Sequence, residues 1–266
     1  MRFALFLKYI LFFFLLIAYG ISIGKYEVFP YSYLKKFQDK FDPLIYPPEP
    51  QVSYKNKLII GDEKYEYILN TSFFHGFKPE LEYIEDIEKD IISSNKFFSD
   101  ETAFIVMDPW PTNEKKEYII ENKILPLIEL AAKKNHMTFI LTTDPMYELN
   151  PNHLIHKDLE GMLGKNIFLV YHNDFRSESF SEYLFLNNIK TLIYLGFDSN
   201  ACIIDRDLGI VKMKLSGFRT FFIPGASAAH ENINSNKFHT EATKMIKRYW
   251  GSEIKYQELI VILNDL

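Results

Sequence analysis

TLIYLGFDSNACIIDRDLGIVKMKL, residues 191–215, carries the single cysteine of this 266-residue chain, and the reading of the rest turns on it. Thr191–Leu195 is a short run of β-branched, aliphatic and aromatic residues, the composition of a buried strand. After it, Ile204, Leu208, Val211 and Leu215 recur at the spacing of one apolar helix face. Cys202 therefore falls where a strand turns into a helix. Unpaired N–H groups and the positive end of a helix dipole at such a turn favour a thiolate and any oxyanion beside it. The competing reading is a structural cysteine, because a free thiol packs as a small apolar residue.

Working outward, apolar runs of similar length recur at Ala103–Met107, Thr138–Leu141, Ile167–Tyr171 and Thr220–Ile223. Helical periods lie between several of them, clearest at Ile120, Ile124, Ile128 and Ala131, with Asn135 as the expected C-terminal stop. Strands alternating with helices predict βαβ units and a mainly parallel sheet covered on both faces. Ligands of such sheets bind beyond the C-terminal ends of the strands. Asp108, His172 and Gly196 each follow a run directly, Asp144 follows its run after two threonines, and Cys202 comes shortly after Gly196. A carboxylate, an imidazole and the thiol are thus expected at one sheet edge.

Composition excludes several classes. With 30 basic and 35 acidic side chains the net charge is −5, and no basic patch marks a nucleic-acid partner. One cysteine forbids an internal disulfide, and no Cys/His cluster points to structural zinc. No cofactor or metal is expected. Residues 3–23, FALFLKYILFFFLLIAYGISI, are almost wholly apolar and long enough at helical rise to span about 30 Å of hydrocarbon. We expect residues 1–24 to be an uncleaved single-pass transmembrane anchor. The rival is a signal peptide cut near Ala18-Tyr19-Gly20. A short basic N-terminal tail places the bulk of the chain outside the cytoplasm. Residues 25–100 are expected to be a juxtamembrane linker, with the proline-rich stretch at Pro47-Pro48-Glu49-Pro50 and a small hairpin turning at Gly61-Asp62. The acidic segment 80–95 reads as a solvated helix face. Residues 101–266 are the globular domain.

The segments TAFIVMDPW (102–110), ILPLIELAAKKNHMTFILTTD (124–144) and the stretch from Leu192 to Ala228 together resemble the isochorismatase-like cysteine hydrolases, over residues 101–262. The resemblance implies a three-layer α/β/α sandwich and hydrolysis of amide, imide or vinyl-ether bonds in small metabolites. It assigns Cys202 as nucleophile and Asp108 as the base that takes its proton. It places the N–H groups of Ala201 and Cys202 in the oxyanion hole, and a cis peptide bond before Ser199.

The chain departs from the family in one place. The family's third catalytic residue is a lysine at or just after the third strand, and here NIFLVYHNDFRSESF (166–180) contains none. Lys165 lies at the wrong end of the strand. His172 or Arg176 stands nearest, and His172 is expected to take over because it can both carry charge and donate a proton near neutral pH. The metal site of the nicotinamidase branch is also expected to be absent, since Met146 replaces the histidine two residues after Asp144. His153 and His156 read as loop histidines, and His230 and His239 as structural. Trp110, Arg176 and Ser199 are candidate substrate contacts, with Trp110 alternatively only packing. Arg206, with Asp205 beside it, divides evenly between contact with an anionic substrate or a neighbouring subunit and a solvated surface pair. Two functions follow: a membrane-anchored cysteine hydrolase acting on a small-molecule substrate, or an inactive domain of the same fold kept as a membrane-tethered binding or assembly module. Self-association into a homo-oligomer stays open.

Overall fold

Each apolar run becomes a strand, and three further strands join, of which Glu66–Phe73 overlaps the second arm of the expected hairpin. In chain order they are β1 (Glu66–Phe73), β2 (Ile91–Phe98), β3 (Thr102–Met107), β4 (Met137–Thr142), β5 (Ile167–Tyr171), β6 (Thr191–Gly196), β7 (Arg219–Ser227) and β8 (Ser252–Ile254). The computed structural model describes residues 63–74, 89–144, 153–164, 166–172 and 174–266. Residues 3–23, expected to cross a membrane, lie outside the described residues, as does the turn at Gly61-Asp62. Among the described residues no helix is long and apolar enough to cross a membrane.

The strands form one sheet in the order β2-β1-β8-β7-β6-β3-β4-β5. β3 to β8 run parallel, which matches the predicted α/β class. β1 is antiparallel to both β8 and β2, so β1 and β2 extend the edge of this sheet. The acidic segment 80–95, expected as a solvated helix face, contributes Ile91–Asn95 to β2, and its residues 80–88 lie outside the described residues. Its residues alternate between partly and fully exposed, a polar-face pattern of period two that the sequence reading took for loose helix.

Alternation along the central strands divides the core in two. Ala103, Ile105 and Met107 pack on one side with Phe139, Leu141 and the helices Ser177–Leu186 and Ile210–Leu215. Phe104 and Val106 pack on the other with Ile140, Ile193, the helix at Leu125–Lys133 and the C-terminal helix Tyr256–Asp265. Helices therefore cover both faces. Ile120, Ile124, Ile128 and Ala131 are all fully buried, and Asn135 takes a left-handed φ of 59° just past the helix end, as the pattern predicted. The helix is not uniform: Glu114–Ile119 passes through a π-turn at Ile120–Ile124 before resuming as Leu125–Lys133.

The helix after Cys202 differs from expectation. Cys202–Asp205 is a single turn that stops at Arg206, and Ile210–Leu215 is a separate helix. Gly209 lies between them, where a Cβ would meet the carbonyl oxygens of Arg206 and Ile204 at 2.9 Å. Leu215, counted on the apolar face, is 74% exposed. A single turn has little macrodipole, so stabilisation of the thiol has to come from side chains and individual N–H groups.

Candidate active site

Asp108 ends β3, adopting a left-handed φ of 43° with its N–H held by Leu141 C=O at 2.8 Å. Asp is one of the few non-glycine types that tolerates this region. Next to it, Gly196 closes β6 at φ 103°, where a Cβ would lie 2.3 Å from Met107 O. Only glycine lets β6 approach β3 this closely. The two strand ends thereby bring the Asp108 carboxylate and the segment holding Cys202 to the same edge.

The Asp108 carboxylate is fully buried and has two cationic or potentially cationic neighbours. His172 Nε2 lies 2.6 Å from Oδ1, and Arg206 Nη2 lies 3.5 Å from Oδ2. The Cys202 thiol interacts with the Asp108 carboxylate, the Arg206 guanidinium and the Asp198 backbone N–H. Burial foremost, then the Asp108 charge, push the thiol above the usual cysteine range; the Asp198 N–H and the Arg206 charge pull against them. Arg206, held by both Asp108 and Cys202, is raised despite its burial. Four groups therefore meet at one point: thiol, carboxylate, imidazole and guanidinium.

The remaining expectations divide. His172 does reach the site, but through the carboxylate rather than the sulfur. Arg176 does not: it is exposed at the start of the helix Ser177–Leu186. Ser199 is fully buried, with its Oγ 2.8 Å from His239 Nδ1, which leaves no face for substrate. His239 is structural, its Nε2 donating to Pro224 C=O at 3.2 Å. Ala201 N–H is used within the turn, donating to Asp198 C=O at 3.0 Å. The Asp198 backbone N–H instead hydrogen-bonds the Cys202 sulfur. The cis peptide is Phe197–Asp198, one bond before the expected position.

Trp110 is buried beside the site, donating from Nε1 to Thr142 Oγ1 at 2.8 Å and stacking on His153 with ring centroids 4.4 Å apart. Both line a cavity of about 390 Å³, together with Asn113, Lys116, Asp198 and His230. Lys116 is a site residue that sequence reasoning missed. It is buried, its Nζ 2.5 Å from Asp198 Oδ1 and 5.1 Å from the Phe197 ring centroid. Its setting, NEKKEY, looks like any solvated helix start. Arg206 had a signal: it lies four residues after Cys202, one turn on, where helical geometry puts both on one face.

Asp144 is buried, but the position two residues on is Met146, whose thioether does not match a site built on histidines and carboxylates.

No family model and no curated protein sequence matches the chain. Solved structures do. A cysteine hydrolase from Pseudomonas syringae pv. phaseolicola is 14% identical, covers 63% of this chain and 94% of its own, and superposes with a TM-score of 0.51. The fold is that of the isochorismatase-like cysteine hydrolases. The YcaC gene product of Escherichia coli, described as an octameric hydrolase of unknown specificity, is 16% identical over 63% of this chain and 81% of its own, with a TM-score of 0.50. An isochorismatase-like hydrolase from Alkaliphilus metalliredigens is 13% identical over 60% of this chain and 97% of its own, at 0.48.

Proposed function

We propose that the chain is a membrane-anchored cysteine hydrolase that cleaves an amide, imide or related bond of a small metabolite through a Cys202 thioester. The observation that carries this reading is the thiol held against both the Asp108 carboxylate and the Arg206 guanidinium. In this mechanism Asp108 takes the thiol proton as sulfur attacks the carbonyl carbon. The oxyanion is held by the N–H groups of Asp198 and Cys202. Asp108 returns the proton to the departing nitrogen, leaving a thioester. Water then attacks, gives its proton to Asp108, and the acid is released as the thiol reforms. Arg206 supplies the positive charge that the family draws from its lysine. His172, donating from Nε2, fixes the orientation of the Asp108 carboxylate. The cavity walled by Trp110, His153 and Lys116 receives the substrate. Residues 3–23 tether the domain to a membrane with its bulk outside the cytoplasm, and homo-oligomerisation is compatible with this reading.

The test is hydrolysis of a panel of small amides, imides and N-carbamoyl compounds by the full chain. For a substrate that responds, Cys202→Ala and Asp108→Asn should each lower kcat/KM by at least about 10³-fold, and the intact mass of wild type should show a trapped acyl adduct. A responsive substrate still turned over by Cys202→Ala defeats the mechanism. Wild type inert to every compound, with no adduct, favours the membrane-tethered binding module. For the tether, the full chain should stay with membranes through an alkaline carbonate wash.

A further inference from the structure

Away from the thiol, one group of side chains has ligand chemistry that the proposed reaction does not use. Glu117 and Glu121 stand one turn apart on the helix that starts at Glu114, Glu121 within the π-turn Ile120–Ile124. π-turns concentrate at functional sites. A carboxylate oxygen of each and a ring nitrogen of His156 all lie within 4.8 Å of one another. Two carboxylates at this spacing repel, and among the described residues neither is paired with a lysine or arginine. His156 precedes the short helix Lys157–Gly161 and is only 8% exposed. Its Nδ1 accepts the Asp158 N–H at 3.3 Å and lies 3.9 Å from Asp158 Oδ2. Nε2 has no hydrogen-bond partner among the described residues. A buried imidazole with one nitrogen unused, set against two unpaired carboxylates, is a donor set without its cation.

We propose that Glu117, Glu121 and His156 bind one divalent transition-metal ion of the zinc class. Two carboxylate oxygens and one imidazole nitrogen suit zinc, cobalt or manganese, whereas calcium prefers an all-oxygen shell. Water completes the coordination. Binding at Nε2 moves the ring proton to Nδ1, which gives up the Asp158 N–H and turns to the Asp158 carboxylate, now 3.9 Å away, so the ligand stays a neutral imidazole. The ion ties the segment 153–156 to the first helix. Because His153 stacks on Trp110 in the cavity wall, the metal fixes that wall and takes no part in chemistry at the thiol.

Full-length protein is stripped with EDTA and titrated with Zn²⁺ under equilibrium dialysis, both as wild type and as Cys202→Ser, so that the thiol cannot supply the binding. One equivalent should bind in each, with a melting temperature raised by several degrees. Glu117→Gln combined with Glu121→Gln, both at exposed positions, should weaken binding at least about 100-fold. Asp158→Asn should weaken it about tenfold. Cobalt in the same site should show ligand-field bands without thiolate charge transfer. No stoichiometric binding, or binding that survives the double glutamine variant, overturns the proposal. Neither outcome depends on whether the hydrolase reading holds.

Discussion

At Cys202 two charged neighbours act in opposite directions. Asp108 and burial favour the protonated thiol, while Arg206 and the Asp198 N–H favour the thiolate, and the first pair prevails. The resting nucleophile is therefore a thiol hydrogen-bonded to its base, and proton transfer accompanies attack. Alkylation by iodoacetamide reads this balance directly. Arg206→Gln removes the stabilising charge, so alkylation near neutral pH should slow roughly three- to tenfold. Asp108→Asn removes the opposing charge, so alkylation should speed up by a similar factor while hydrolysis is lost. Equal responses in both variants would mean that neither charge governs the thiol. Asp108 was legible in the sequence because it follows a strand directly, and Cys202 because it is the single thiol and lies in the turn between a strand and a helix. Arg206 had one signal, its place four residues after Cys202, but the same spacing is common among solvated residues, so it did not decide between an anion contact and solvent. Lys116 was hidden for a different reason: burial of a lysine is a tertiary outcome, and NEKKEY gives no local sign of it.

Among the elements, the parallel strands were legible because a strand buried on both faces needs an unbroken apolar run. β8, at three residues, is too short for periodicity to register, and β2 has a half-exposed pattern that Ser93, Ser94 and Asn95 dilute. The junction of β3 with β6 is the most constrained joint in the sheet. At Gly196 any side chain meets both a positive φ and the Met107 carbonyl at 2.3 Å. Gly196→Ala should destabilise the fold by well over ~1 kcal/mol, measured by urea unfolding. It should also displace Asp108 relative to Cys202, so activity per folded molecule falls too. Gly217, at φ 101° with open space around its Cβ, is the control: its alanine variant carries only the backbone cost and should leave the site intact. Equal activity losses in both variants would remove the special role of the β3–β6 joint.

Across the whole molecule, His136 links distant parts of the sheet. Tyr67 of β1 donates its hydroxyl to Nε2 at 3.2 Å, and Nδ1–H donates to Thr102 C=O at 3.3 Å. Burial lowers the pKa of this imidazole to about 4. The unfolded chain takes up a proton as pH falls through about 6.5, whereas the folded chain resists until about pH 4. Stability from this group is thus complete above pH 6.5 and is lost on acidification toward pH 4, a loss on the order of 3 kcal/mol. Unfolding free energies at pH 7 and 4.5 should show the fall, and His136→Gln should flatten it; an unchanged slope in the variant assigns the acid sensitivity elsewhere. The antiparallel pair β1–β2 has a consequence of another kind. A fragment begun at residue 101 would strip β8 of its outer neighbour, leaving a row of unsatisfied amides and carbonyls beside Phe221 and Ile254. Such an open border recruits strands from other molecules; in the full chain the border is instead β2, which Ser93, Ser94, Asn95 and Lys96 make polar.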